Sequence, residues 1–458
     1  MRSNSRNEKR NERTEDMRPT TRTPTPLPRF LTGWRLIYHR LRFMFGWGRY
    51  VVDRRRFPLF RLFPLRSGAL YAAKIIHDIG MRKVVQFGNT YFSSLTAPHH
   101  PSPAFENMLA NGGLNVGAAG TPLKRQIDTL LLAITRQCDL HCQHCYERHN
   151  IGPGDEIPLS RLRQIVAQLQ QHGVSSLVLT GGEPMNRFDD LLEIVHTADK
   201  SLSDIHVHTS GHGVTPERAA ALKAAGLTAA AVGLDDVDRT RHDHLRGHDG
   251  SYDDAVQALD IFREAGILTY VNVCATPELV RSGGHWRYAQ FVRDLGVSFI
   301  QLLEPRPCGG YINAPTAALL TDRDRDQLVE FFRGLNGLTR YREYPIVHYV
   351  AYAESPAQRG CMMGGLSHMY IDSRGNVNPC VFLPVTFGNI MEEDFETIYG
   401  RMREAIPHPL HAECPSLQLN STLRAKQAER LDMPVPYAAI KAEWHNMFQG
   451  TLTQRESS

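Results

Sequence analysis

"IDTLLLAITRQCDLHCQHCY", residues 127–146, runs from an apolar stretch into a loop that packs three thiols, Cys138, Cys142 and Cys145, into eight residues. The stretch 127–135 is short and rich in Leu and Ile. It reads as a buried strand, which puts the loop at the strand's carboxyl end. The next cysteine, Cys274, lies far downstream. A closed structural metal site takes four ligands. Three thiolates can instead hold three corners of a cubane iron–sulfur cluster and leave the fourth iron open to a small molecule. A zinc ion completed by His141, His144 or His149 is the alternative that the loop by itself leaves open.

A rhythm follows the loop. "PLSRLRQIVAQLQQHG" is an amphipathic helix with Gly173 as its stop. "SSLVLT", "DIHVHTS", "TAAAVGL", "ILTYVNV" and "SFIQLL" read as strands, with helices expected over 188–199 and near 215–225, 251–265, 285–295 and 322–335. Six strands alternating with helices predict an α/β fold with a parallel sheet. Six units are too few to close an eightfold barrel, so the expectation is an open, partial (β/α)6 barrel over residues 126–340. Its chemistry should sit at the carboxyl ends of the strands.

"CDLHCQHCY", followed by "LVLTGGEPM" at the end of the second strand, resembles the radical S-adenosylmethionine (SAM) superfamily over roughly residues 126–340. The resemblance implies a catalytic [4Fe–4S] cluster on Cys138, Cys142 and Cys145, with the amino and carboxylate groups of SAM on the open iron. It further implies reductive cleavage of SAM to a 5′-deoxyadenosyl radical that abstracts hydrogen from a substrate. The cofactor-binding residues carried over are His144, Thr180, Gly181, Gly182, Glu183, Pro184, Ser210 and Arg246. Gly181 and Gly182 would let backbone approach the methionine end closely, and Glu183 would pair with the SAM ammonium. "HTSG" (208–211) places Ser210 where the family often has Asn. In "VGLDDVDRTRHDHLRG" Gly233 stands where Ser is common, and Arg246 matches an arginine that holds the methionine carboxylate; a solvated charged loop is the plainer reading of that segment.

On the fifth strand Tyr270, Asn272 and Cys274 alternate with Val271 and Val273, so one face carries them all. Cys274 is a catalytic candidate, able to donate hydrogen to a substrate radical; a plain core cysteine is the other reading.

After about residue 340 the pattern changes. "HMYIDSRGNVNPCVF" predicts a β-hairpin turning at "SRGN". Cys361, Gly375 and Cys380 are spaced as in the opening of the SPASM and Twitch auxiliary-cluster domains, and Cys414 would be a third ligand. This resemblance implies a small α+β SPASM/Twitch-like domain over 341–425 with a second, auxiliary [4Fe–4S] cluster on Cys361, Cys380 and Cys414. The chain lacks the seven cysteines of a full SPASM domain. Cys308, His368 and His411 are candidates for the fourth ligand, and an open iron that binds substrate is another option. A zinc knuckle or unliganded cysteines are the plain alternatives.

Charge divides the chain. Residues 1–66 hold 17 Lys and Arg against 5 Asp and Glu, a net of +12, which leaves −8 for the remainder of a chain whose total is +4. The mildly acidic body argues against a nucleic-acid groove. Eight cysteines in 458 residues are too sparse for a secreted disulfide scaffold. No apolar run is long enough to span a membrane, and the polar start lacks the apolar core of a signal peptide. Residues 1–28 read as a disordered basic tail. The region 29–125 reads as helical, and Phe30, Trp34, Ile37, Leu41 and Phe45 recur there at helical spacing, interleaved with Arg. That stripe either docks on the body or lies on an anionic membrane surface. Residues 426–458 read as a helical tail.

The expected protein is thus a cytoplasmic radical SAM enzyme, with peripheral contact to the membrane through its basic stripe as an option, that modifies a peptide or protein or a biosynthetic small molecule. A lipid-like substrate at the membrane and a non-enzymatic metal-binding scaffold are the alternatives. The family implies a low-potential electron donor, flavodoxin or ferredoxin.

Overall fold

The computed structural model describes residues 27–39, 83–110 and 127–455. The apolar run after Ile127 is strand β1 (Thr129–Thr135), and its neighbours follow in chain order: β2 (Ser176–Gly181), β3 (Asp204–Thr209), β4 (Ala229–Gly233), β5 (Leu268–Cys274) and β6 (Phe299–Leu303). Each pairs in parallel with the next. Helices α1 (Leu159–Gln171), α2 (Phe188–Thr197), α3 (Pro216–Ala225), α4 (Arg239–Arg246), α5 (Ser251–Glu264), α6 (Gly284–Asp294) and α7 (Asp322–Gly337) intervene or follow.

Alternation sorts the strand residues into two faces. Leu130, Leu132, Leu177, Leu179, Ile205, Val207, Val271, Val273 and Ile300 join the helices in one large core. The opposite face lines the inside of the curved sheet. Ala229, Ala231, Leu268, Tyr270 and Phe299 form a second apolar cluster there, at the amino-terminal ends of the strands.

Two further strands come from beyond the expected barrel. β7 (Ile346–Tyr349) pairs in parallel with β6, and β8 (His368–Ile371) pairs in parallel with β1. β9 (Val377–Asn378) then completes the predicted hairpin on β8. The sheet is nine-stranded, in the order β7-β6-β5-β4-β3-β2-β1-β8-β9. The expected break at 340/341 is therefore corrected: the segment after it caps both edges of the six-strand sheet, satisfying backbone groups that edge strands leave bare.

The expected break at 425/426 is corrected as well. Val435–Pro436 pairs with Val385–Thr386. Trp444, fully buried on the last helix, packs edge-on to Phe387 and donates its indole N–H to the Ala405 carbonyl at 3.0 Å. The tail is part of the second domain's core.

The helical reading of 29–125 is corrected for its described residues. Arg29–Leu31, Val84–Phe87 and Thr90–Phe92 form a three-stranded antiparallel sheet, followed by the helix Pro103–Ala110. Val85, Phe92 and Leu95 plug the amino-terminal end of the barrel against Ala229, Tyr270 and Phe299. His99 pairs with Asp204 at the foot of β3 at 2.9 Å. Residues 33–39 are helical as expected, yet Leu36 is the buried one, and Trp34 (72%), Ile37 (58%) and Tyr38 (61%) are exposed. Leu41, Phe45 and the tail 1–26 lie outside the described residues.

Candidate functional site

Thr135 ends β1, and Asp155 folds the chain that leaves it. Asp155 accepts from the Thr135 hydroxyl at 2.7 Å, the Arg136 N–H at 3.0 Å and the Gln137 amide at 2.8 Å. The cysteine loop is then gripped from three sides. The Gly182 N–H donates to the Thr135 carbonyl and the Glu183 N–H to the Gln137 carbonyl, both at 2.8 Å. From the end of α4, the Arg246 carbonyl accepts from the His141 N–H at 3.1 Å and the Leu245 carbonyl from the Gln143 N–H at 2.9 Å. From the loop after β6, the Gly310 N–H donates to the Cys145 carbonyl at 2.8 Å.

These contacts explain the glycines. A Cβ on Gly181, whose φ is 140°, would lie 2.3 Å from the Thr135 carbonyl oxygen, and one on Gly182 would lie 2.1 Å from that of Gln137. Both partners are backbone, so nothing can swing aside. The close approach that the pair permits is to the cysteine loop itself, a constraint present before any cofactor arrives.

Glu183 is fully buried behind them. It accepts from the Met185 N–H at 3.1 Å, the Thr209 hydroxyl at 2.6 Å, the Ser210 N–H at 2.8 Å and the Ser210 hydroxyl at 2.6 Å. Burial raises its pKa, while Ser210 and Thr209 pull it down. Ser210 is thus joined to Glu183, two residues that sequence placed on different strands. Pro184 begins the short helical turn for which Glu183 is the cap. Thr180 bonds the Tyr146 hydroxyl at 2.9 Å, tying β2 to the end of the loop.

Arg246 reaches the site from the end of α4, a helix where a solvated loop was the plainer expectation. Asp238 caps its start and Gly247, at φ 60°, ends it. The Arg246 guanidinium donates to Asp235 at 2.7 Å and also bonds Cys142. Its approach accounts for Gly233, where a Cβ would lie 2.4 Å from the guanidinium. Asp235, which sequence reasoning missed, is a hub: it accepts from the Cys274 N–H at 2.9 Å and lies 3.5 Å from the His144 ring nitrogen. Arg246 and His144 overcome the burial of Asp235 and hold its pKa down at about 2. The only signal for it in sequence is its place as the first carboxylate after β4.

Burial pushes the Cys138 thiol up to about 12 and raises Cys142 and Cys145 as well. Such thiols need a Lewis-acidic partner to become thiolates. A zinc tetrahedron with Zn–S of about 2.3 Å sets its sulfurs about 3.8 Å apart. Among the described residues, the one group of three or more His, Cys, Asp or Glu ligand atoms within 4.8 Å of one another is His212, His248 and Asp254. Neither the 138–145 triad nor the 361, 380, 414 set is that tight. The buried His144 Nδ1 has no hydrogen-bond partner, a further mark of a place shaped for a ligand.

Cys274 ends β5 beside Asp235 and Arg246, and burial raises its pKa, so it stays a neutral thiol. Beneath it on the inner face, the Tyr270 hydroxyl lies 2.9 Å from His208 and 3.2 Å from His206, and the Asn272 amide lies 3.3 Å from His208. Burial lowers the two imidazoles to about 3 and about 4, so both are neutral near pH 7.

In the second domain Cys361 exchanges backbone hydrogen bonds with Leu410, which draws the run toward Cys414 beside it. The hairpin turn at Gly375, φ 89°, returns the chain to Cys380. Each of the three thiols lies within electrostatic reach of the other two. The hairpin is also tied to the first loop, because the Ser373 N–H donates to Glu147 at 3.1 Å.

The radical SAM superfamily pattern matches residues 132–280, and an iron–sulfur cluster-binding (SPASM) domain matches 361–415. The chain is a radical SAM enzyme with a SPASM domain. A [4Fe–4S] cluster and SAM go with the first domain, and additional iron–sulfur goes with the second. Among similar curated proteins, an AdoMet-dependent heme synthase of Nitratidesulfovibrio vulgaris is 24% identical over 285 residues, 58% of this chain and 77% of that protein. A PqqA peptide cyclase of Streptomyces rochei is 27% identical over 256 residues, 55% and 68% of the two chains. Of solved structures, Streptococcus suis SuiB bound to precursor peptide SuiA aligns with 61% of this radical SAM chain and 67% of its own, at 18% identity and a TM-score of 0.48. No helix among the described residues is long and apolar enough to cross a membrane.

Proposed function

We propose that Cys138, Cys142 and Cys145 hold a cubane cluster at three corners, and that Gly181, Gly182, Glu183, Pro184, Thr180, Ser210, His144 and Arg246 form the SAM seat around its open iron. The single observation that carries this reading is the convergence of the cysteine loop, Glu183 and Arg246 at the carboxyl ends of β1 to β4. When bound, the cluster and SAM supply an electron and a 5′-deoxyadenosyl radical that abstracts hydrogen from the substrate. The chain's own residues orient and shield. Glu183 offers a buried carboxylate for an ammonium. Arg246, with Asp235 on its Nε, offers its buried guanidinium to a carboxylate. The N-terminal sheet plugs the barrel's foot and excludes water from below.

The substrate is a peptide or a biosynthetic small molecule, a range supported by the heme synthase and peptide cyclase relatives. His208, Tyr270 and Asn272 supply neutral donors and acceptors on the inner face, and the buried Asn272 Oδ1 is left without a hydrogen-bond partner for substrate to fill. Cys274 would return a hydrogen atom to a substrate radical, and the thiyl radical left behind would take an electron from the low-potential donor and a proton from solvent. Cys361, Cys380 and Cys414 hold an auxiliary cluster, and a low-potential flavodoxin or ferredoxin delivers electrons. Anaerobic reconstitution with dithionite and SAM tests the reading: 5′-deoxyadenosine forms, and its absence with both iron and SAM bound would reject it.

A second reading concerns where the enzyme works. The exposed Trp34, Ile37 and Tyr38, followed by the basic run to residue 66, suit peripheral contact with an anionic membrane from the cytoplasmic side. Cosedimentation with anionic vesicles should fall when residues 1–66 are deleted; unchanged partition would sink the idea.

A further inference from the structure

We propose that Cys308, in the loop after β6 and outside the stretch that the SPASM domain matches, supplies the fourth thiolate of the auxiliary site. The proposal rests on the reading that Cys361, Cys380 and Cys414 hold a cluster.

That stretch, 361–415, contains three cysteines, and a cubane fully held by protein takes four ligands. Cys308 is 3% exposed. Its thiol lies within electrostatic reach of Cys380, Cys414 and Cys145. Arg306, two residues earlier, is buried too, and Cys414 and Cys380 both act on its guanidinium. Glu304, the partner of Arg306 at 3.3 Å, is already engaged by Arg325 at 2.9 Å and the Tyr349 hydroxyl at 2.7 Å.

The loop is held in place from both sides. Asn420, shortly after Cys414, donates its amide to the Pro307 carbonyl at 3.4 Å and the Ile312 carbonyl at 3.2 Å. On the other side a Cβ on Gly309 would lie 2.1 Å from the Cys145 carbonyl oxygen, and one on Gly310 would lie 2.2 Å from that of Gln143. Backbone contact at that range demands glycine twice in succession and fixes the backbone that follows Cys308.

Of the rival ligands, His411 sets its Nδ1 on the Pro356 carbonyl at 3.1 Å and is half-buried. His368 faces Glu354 at 3.6 Å, and Glu354 itself pairs with Arg359 at 3.0 Å and accepts from the Met362 N–H at 3.3 Å. A fourth thiolate from Cys308 closes the auxiliary site to substrate. It also makes 308–310 a shared wall between the two metal sites.

The test uses the full chain carrying Cys138→Ala, Cys142→Ala and Cys145→Ala, so that any iron belongs to the second site. After anaerobic reconstitution this parent should hold about four irons. Adding Cys308→Ala should convert its Mössbauer and EPR spectra to those of a three-iron cluster, or strip the iron. Cys308→Ser, which keeps a ligating atom, should retain four-iron content with an altered spectrum. Spectra and iron content unchanged by Cys308→Ala would overturn the proposal and leave the auxiliary cluster standing. A parent that takes up no iron would overturn both.

Discussion

The two cysteine sites differ in how they are built. The first is local: three thiols within eight residues, on one loop at the end of one strand. The second draws Cys361, Cys380 and Cys414 from a β-bridge, a hairpin and a helix start, with Cys308 arriving from the loop after β6. A local site needs its loop held in shape, and backbone contacts through Gly182, Arg246 and Gly310 do that. A dispersed site needs the whole domain to be folded. Damage to the two should therefore look different.

The largest effect should follow Cys138→Ala, Cys142→Ala and Cys145→Ala together. SAM cleavage should vanish, while iron at the second site stays; iron analysis and 5′-deoxyadenosine assay read both. Trp444→Ala attacks the other side. Emptying a site buried beneath Phe387 and Phe448 should cost the second domain about 3–5 kcal/mol. It should also release second-site iron on mild denaturation, while the first site persists. Loss of both irons at one midpoint would show that the two sites do not unfold separately.

Gly182→Ala should cost about 2–3 kcal/mol through the collision with the Gln137 carbonyl. Its effect should be confined to first-site iron and SAM cleavage, since the shifted backbone belongs to the cysteine loop. The smallest effect is expected from Gly233→Ser, which restores the residue common in the superfamily. Its side chain must push the Arg246 guanidinium, a movable group, and should raise KM for SAM about tenfold, some 1.4 kcal/mol, with iron content unchanged at both sites.

The same contrast governs what could be read from sequence. Strands β1 to β6 were legible as short apolar runs, and most helices as the segments that alternate with them. Helix α4 was not, because "RTRHDHLR" has no apolar stripe and is held by its caps, Asp238 and Gly247. The N-terminal sheet escaped because its strands are three or four residues long, and Arg29–Leu31 finds its partner about fifty residues on, in the hairpin of Val84–Phe87 and Thr90–Phe92. The placement of β7 and β8 at opposite edges of the sheet depends on pairings that no local pattern encodes. In the site, Gly181, Gly182, Glu183 and the cysteines were visible as motifs. Asp235 was not, since tertiary contact alone brings it into place, and Cys308 stood in sequence only as one of three candidates for the fourth ligand.

The central claim is that three thiolates leave one iron for SAM. Electron–nuclear double resonance on the reduced enzyme, with Cys361→Ala and Cys380→Ala removing the second signal, tests it with SAM labelled at its amino nitrogen and carboxylate oxygen. Hyperfine coupling to both labels is the predicted result. A reduced cluster that shows neither coupling in the presence of saturating SAM would contradict it.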